Sequence, residues 1–141
     1  MLKNIKCCIS PDLMKILMEM GHGDEIVLAD GNFPAASHAK RLVRLDGNNI
    51  PAILAGILHL MPLDTYVENP VSLMMHGVEV KRPSIWKEYE EIVRNEETHF
   101  KAQYLERFEF YERAKSAYAI VATSDNALYA NIILKKGVVT E

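Results

Sequence analysis

Apolar residues recur along this chain with two periods, and the change from one to the other marks out its elements. Leu13, Ile16, Leu17 and Met20 fall three and four apart. They follow Ser10-Pro11-Asp12, which reads as a hydroxyl cap, a proline at the first helical position and an acid in the first turn. Gly21 stops this helix, and Gly23 lets the backbone turn into Ile26-Val27-Leu28-Ala29. That run is apolar at every position, as suits a strand buried on both faces of a parallel sheet. It ends at Asp30, with the turn formers Gly31-Asn32-Phe33-Pro34 behind it.

The same reading continues down the chain. Pro34 to Lys40 predicts a short helix, and Leu42 to Leu45 a strand closed by Asp46-Gly47. Pro51 opens a helix with Ile53, Leu54, Ile57, Leu58 and Met61 on one side, and Pro62 ends it. Leu63 to Val67 and Val71 to Met75 are read as extended, and Ser84 as the cap of a helix carrying Trp86, Tyr89, Ile92 and Val93. A further helix is expected over Glu106 to Ala117, then strands at Tyr118 to Thr123 and Leu128 to Leu134. Only the turn Ser124-Asp125-Asn126 and Ala127 separate these two, which predicts an antiparallel pair. Alternating helices and strands imply an α/β fold: one three-layer α/β/α domain over residues 1–141, with a mainly parallel mixed sheet and an antiparallel C-terminal strand pair.

Composition narrows the function classes. At 141 residues and 49% hydrophobic, the chain can bury a sizeable core. A net charge of -3 argues against a general nucleic-acid binder. No apolar run is long enough to span a bilayer, and Met1 to Lys6 lacks the pattern of a signal peptide. Cys7 and Cys8 are adjacent and fit neither a disulfide framework nor a zinc motif, so a reducing cytoplasm is expected.

Candidate chemistry gathers around the first strand. His22 stands between two glycines, where its imidazole is approachable and can exchange a proton near neutrality; it reads equally as a surface turn histidine. Asp30 is either a turn former or a carboxylate in the ligand crevice at a strand's C-terminal end. His22, Asp30 and His38 are evenly spaced but match no compact metal motif, and Glu96 with His99 supplies one Glu-x-x-His pair where a di-iron bundle needs two. No metal or cofactor is expected. Arg107 and Tyr111 share a helix face by spacing, and Tyr129 and Asn131 share a strand face. A phenol and an amide on one face can both donate and accept, as a polyhydroxylated ligand requires; an exposed sheet edge is the plainer alternative.

Four segments together carry a resemblance. They are Gly21 to Asp30 with Asn32-Phe33-Pro34, Leu63-Asp64-Thr65-Tyr66-Val67, Arg107 to Ala114, and Ala127 to Val138. These resemble the motifs of the fucose mutarotase and ribose pyranase family, whose members interconvert cyclic forms of free sugars. The resemblance implies that His22 transfers protons and that Asp30, Asp64, Arg107, Tyr111, Tyr129 and Asn131 bind a monosaccharide. It favours L-fucose over D-ribose, because the ribose branch tends to carry histidine where this chain has Arg107. It also implies a homo-oligomer, a decameric ring with the sugar between neighbours. The alternatives are ribose pyranase activity and a non-catalytic monosaccharide-binding module.

Overall fold

The computed structural model describes residues 1–97 and 99–140. Its elements in chain order are α1 (Pro11–Glu19), β1 (Glu25–Ala29), α2 (Ala35–His38), β2 (Leu42–Leu45), α3 (Ile50–Leu58), β3 (Val71–Met74), α4 (Ile85–Glu96), β4 (Ala102–Leu105), α5 (Arg107–Ser116), β5 (Ala119–Thr123) and β6 (Ile132–Lys135). Helix starts follow local chemistry. Ser10 Oγ accepts the Leu13 N–H at 3.1 Å, and Asn49 Oδ1 accepts that of Ala52 at 3.0 Å, so α3 begins one residue before Pro51. The Glu106 carboxylate accepts the N–H groups of Phe108 and Glu109 at the head of α5. Ser84 differs from expectation: its backbone is already helical and its hydroxyl caps nothing.

Six strands form one sheet in the order β2-β5-β1-β6-β3-β4. β1/β5, β2/β5 and β3/β4 are parallel, while β6 runs antiparallel to both β1 and β3. The antiparallel C-terminal strand is therefore present, but its partners differ from the expected one, since β1 lies between β5 and β6. The connection over residues 124–131 is longer than a hairpin turn because Leu128 to Ala130 do not join the strand; Leu128 is 71% exposed. Asp125 holds that crossing in place. Its carboxylate accepts the N–H groups of Ile50 and Ala127 at 2.9 Å each, and its carbonyl accepts that of Gly31 at 2.8 Å.

Helices cover both faces of the sheet. Residues of α1, α3 and α4, among them Leu13, Ile53, Trp86 and Tyr89, pack with Ile26, Leu28, Leu73 and Leu134 on one side. On the other side, Ala35 of α2 and Phe110 and Ala114 of α5 meet Val27, Ile120 and Ile133. β1, buried from Ile26 to Ala29, touches both layers, and each such aliphatic side chain contributes roughly 1.5–3 kcal/mol on burial. This explains its uninterrupted apolar run.

Candidate functional site at two edges of the sheet

The loop from α1 into β1 is tied at several points. The Gly21 N–H donates to Asp24 Oδ2 at 2.8 Å, the Asp24 N–H returns to the Gly21 carbonyl at 3.2 Å, and Gly23 adopts φ +82°. A side chain would be strained at Gly23, so glycine is what allows the loop to close. His22 stands out from it, its side chain 46% exposed.

Behind His22 lies Asp64, only 4% exposed. His22 Nε2 lies 3.1 Å from Asp64 Oδ1, which also accepts the Tyr66 N–H at 2.9 Å. The Tyr66 ring sits beside the imidazole, with centroids 5.3 Å apart. Burial opposes ionisation of Asp64, but the hydrogen bonds from Tyr66 and His22 outweigh it and hold the carboxyl below the usual carboxylate range. An ionised carboxylate can only accept, so Nε2 carries the proton and Nδ1 of the neutral ring is left with the lone pair. The arrangement leaves one ring nitrogen anchored and the other, among the described residues, without a hydrogen-bond partner. Asp64, expected among the sugar ligands, has its Oδ1 turned to His22 and Tyr66.

The second group of residues lies at the other end of β1. Asp30, 8% exposed, forms a closed pair with Asn131. Asn131 Nδ2 donates to Asp30 Oδ2 at 2.8 Å, and the Asp30 N–H donates to Asn131 Oδ1 at 2.8 Å. The Asn32 N–H reaches Asp30 Oδ1 at 2.9 Å. Burial pushes this carboxyl above the usual range, reinforced by nearby Asp125, and the hydrogen bonds from Asn32 and Asn131 do not cancel it. Beside Asp30 a 280 Å³ cavity opens, lined by Gly31, Phe33, Pro34, Arg44 and Thr123 among others.

Tyr129 corrects the strand-face expectation. It lies outside β6 with φ +57°, uncommon for a residue with a Cβ, so alternation along a strand cannot pair it with Asn131. Helix α4 holds the turn instead: Trp86 Nε1–H donates to the Tyr129 carbonyl at 2.9 Å and the Tyr89 hydroxyl to that of Ala130 at 2.6 Å. His76 packs edge-on against the Tyr129 ring at 6.2 Å, a neighbour that its sequence position did not signal. Arg107 and Tyr111 lie in the first turns of α5, just beyond the C-terminal end of β4. The Arg107 guanidinium covers the Phe108 ring at 4.8 Å, and Tyr111 meets Phe33 and His38 edge-on at 5.4 and 5.6 Å.

The structure thus brings the expected residues together in two sets. Asp30, Asn131, Tyr129, Arg107 and Tyr111 belong to the edge where the parallel strands end. His22 and Asp64 belong to the opposite edge, with the five residues of β1, about 17 Å, between them. His22, Asp30 and His38 are consequently divided between the edges and cannot share one metal ion.

Comparison with known proteins places the chain among relatives that match it over nearly its whole length. A fucose mutarotase of Homo sapiens is 49% identical, the match covering 97% of this chain and 94% of the relative. The crystal structure of the fucose mutarotase from Streptococcus pneumoniae in complex with L-fucose superposes with a TM-score of 0.95 at 56% identity, over 99% of this chain and all of that one. RbsD of Bacillus subtilis complexed with D-ribose is more distant, with a TM-score of 0.71 at 26% identity over 94% of this chain and 95% of that one. Residues 3–139 match the RbsD / FucU transport protein family, and the chain belongs to that family.

Proposed function

We propose that this chain is an L-fucose mutarotase, an isomerase that interconverts the α and β anomers of the free sugar. The observation that carries the proposal is the correspondence, over nearly the whole chain, with a mutarotase solved in complex with L-fucose. Mutarotation needs the ring oxygen protonated while the anomeric hydroxyl loses its proton. The ring opens to the aldehyde, the C1–C2 bond turns, and closure on the other face gives the second anomer. No electron is transferred, and every proton taken up is returned.

His22 performs the proton transfer through its free Nδ1, with Asp64 stabilising the imidazolium that forms. Asp30 accepts hydrogen bonds from sugar hydroxyls, and Asn131 orients Asp30 while keeping one Nδ2 hydrogen for the ligand. Arg107 and Tyr111 orient the sugar, and Tyr129 or a held water serves the second proton. A single pyranose cannot reach across the roughly 17 Å between the two edges of one subunit. The reading therefore includes a homo-oligomer in which His22 of one copy faces the Asp30 edge of its neighbour, and the family resemblance implies that this assembly is a decameric ring. A reducing cytoplasm suits the adjacent free thiols Cys7 and Cys8.

A second reading, ribose pyranase, is favoured by the likeness to the ribose-bound fold. NMR saturation transfer between anomers of free L-fucose, run in parallel on D-ribose, decides between them. The proposal expects faster anomer exchange of L-fucose and little ring-size exchange of ribose. Faster pyranose–furanose exchange of ribose alone would move the chain to the second reading. Sugar binding without acceleration of either would make it a binding module.

A further inference from the structure

We infer that Lys136 is a positioning residue for His22, acting through the end of α1. The inference rests on the mutarotase reading and adds to it a group that touches no sugar. Helix α1 has no basic residue in its last turn, and the loop that carries His22 follows directly on its C-cap, Met20. Lys136 supplies the missing cation from the far end of the chain. Its ammonium donates to the Leu17 carbonyl at 3.3 Å and to the Met20 carbonyl, two groups that a helix terminus leaves without partners.

The backbone of the same residue holds the loop after His22. The Gly23 N–H donates to the Lys136 carbonyl at 2.9 Å, and the Lys136 N–H to the Asp24 carbonyl at 2.9 Å. One residue therefore fixes the chain on both sides of the imidazole. Its neighbours fix the other half of the dyad. The Asp64 N–H donates to the Lys135 carbonyl at 3.0 Å, and the Gly137 N–H to the Pro62 carbonyl at 2.8 Å. A Cβ on Gly137 would collide with the Leu63 carbonyl, so glycine lets this tail lie flat against the segment bearing Asp64. Residues 135–137 clamp His22 and Asp64 to each other, and the Lys136 ammonium is the side-chain part of the clamp.

Lys136→Met keeps much of the aliphatic stem and removes the donors, and Lys136→Arg restores a cation. Anomer exchange of L-fucose, sugar affinity and amide hydrogen exchange are measured on the full-length protein, alone and in the His22→Ala background. Lys136→Met is expected to lower kcat about 10- to 100-fold, the scale of a small misplacement of a catalytic group, with sugar affinity within about twofold. Amide exchange should quicken at Gly21 to Asp24 but not at Ile26 to Ala29. Lys136→Arg should recover part of the rate, and Lys136→Met should cost nothing further once His22 is alanine. An unchanged kcat with unchanged amide exchange would overturn the inference, as would a parallel loss of sugar affinity and melting temperature. If the unmodified protein accelerates neither sugar, the mutarotase reading fails, and amide exchange at Gly21 to Asp24 alone decides whether Lys136 holds the loop.

Discussion

Each of the two edges of the sheet carries a nearly buried aspartate, and the two are driven in opposite directions. Asp64 accepts hydrogen bonds from Tyr66 and His22 and is held ionised below the usual carboxylate range. Asp30 is pushed above it by burial, with Asp125 adding to the rise and the hydrogen bonds from Asn32 and Asn131 opposing it. The residue type is the same, but burial dominates at Asp30, whereas at Asp64 the hydrogen bonds from Tyr66 and His22 outweigh it. In the proposed mechanism, the half-exposed histidine beside Asp64 makes its carboxylate a counter-ion for proton transfer. A neutral amide beside Asp30 leaves its carboxylate a strong acceptor that a ligand's hydroxyls can satisfy. Paired environments that push like groups apart are how one fold divides acid–base work from recognition.

The largest effect should come from the edge that holds the histidine. His22→Ala is expected to slow L-fucose anomer exchange by about 10²–10⁴-fold, the usual contribution of a general acid–base group, with sugar binding still measurable by titration. Equal rates for the variant and the parent would remove His22 from the mechanism.

Asn131→Ala tests the opposite edge. It leaves the Asp30 N–H and one carboxylate oxygen without their partner, at about 1–3 kcal/mol for each buried group orphaned. Urea denaturation should show a loss of that order, and sugar affinity should fall by more than kcat. A fall in kcat alone would mean that the two edges do not divide the work in this way.

Asp64→Asn is a smaller change. Oδ1 still faces both His22 and Tyr66, so the geometry survives and only the charge goes. Exchange should slow by about tenfold, or ~1.4 kcal/mol of barrier, without loss of sugar affinity. An unaltered rate would show that Asp64 acts by geometry alone.

The dependence of stability on pH should show the subtlest contrast. Because the folded Asp64 carboxyl titrates below its unfolded value, its contribution is complete above about pH 4 and is lost as pH falls through the folded value. Asp30 titrates above its unfolded value, so its contribution is complete below about pH 4 and is lost as pH rises through the folded value. Denaturation curves between pH 3 and pH 7 should therefore lose part of their acid-side decline in Asp64→Asn. The same decline should become steeper where Asp30 is replaced by alanine. Identical pH profiles for both variants would contradict the opposed shifts.

Several elements of the fold are legible in the chain itself. Ser10-Pro11-Asp12 and the spacing of Leu13, Ile16 and Leu17 specify α1, because caps and an amphipathic period are local properties. The run Ile26 to Ala29 specifies a doubly buried strand for the same reason. β4 leaves no comparable signal. Ala102 to Leu105 is a partly polar edge strand whose only strand partner among the described residues is β3, thirty-one residues earlier. The pairing of β5 with β1, and not with β6, also lies beyond local pattern. Asp125 ties the crossing that follows β5 to Ile50 and Gly31, residues far from it in sequence.

The candidate residues divide along the same line. Their chemical types can be read from the chain: an uncrowded imidazole between glycines, a carboxylate at a strand end, a guanidinium and phenol on one helix face, and four segments with a family likeness. Only the folded chain decides which of them meet. Asp64 faces His22 across forty-two positions and Asn131 closes on Asp30 across one hundred and one, while Tyr129 takes its place from a left-handed turn held by Trp86 and Tyr89. Residue identity determines what a group can do with a proton or a hydroxyl. Its partners and its burial, which determine whether it does so, come from contacts between distant parts of the chain that no local pattern encodes.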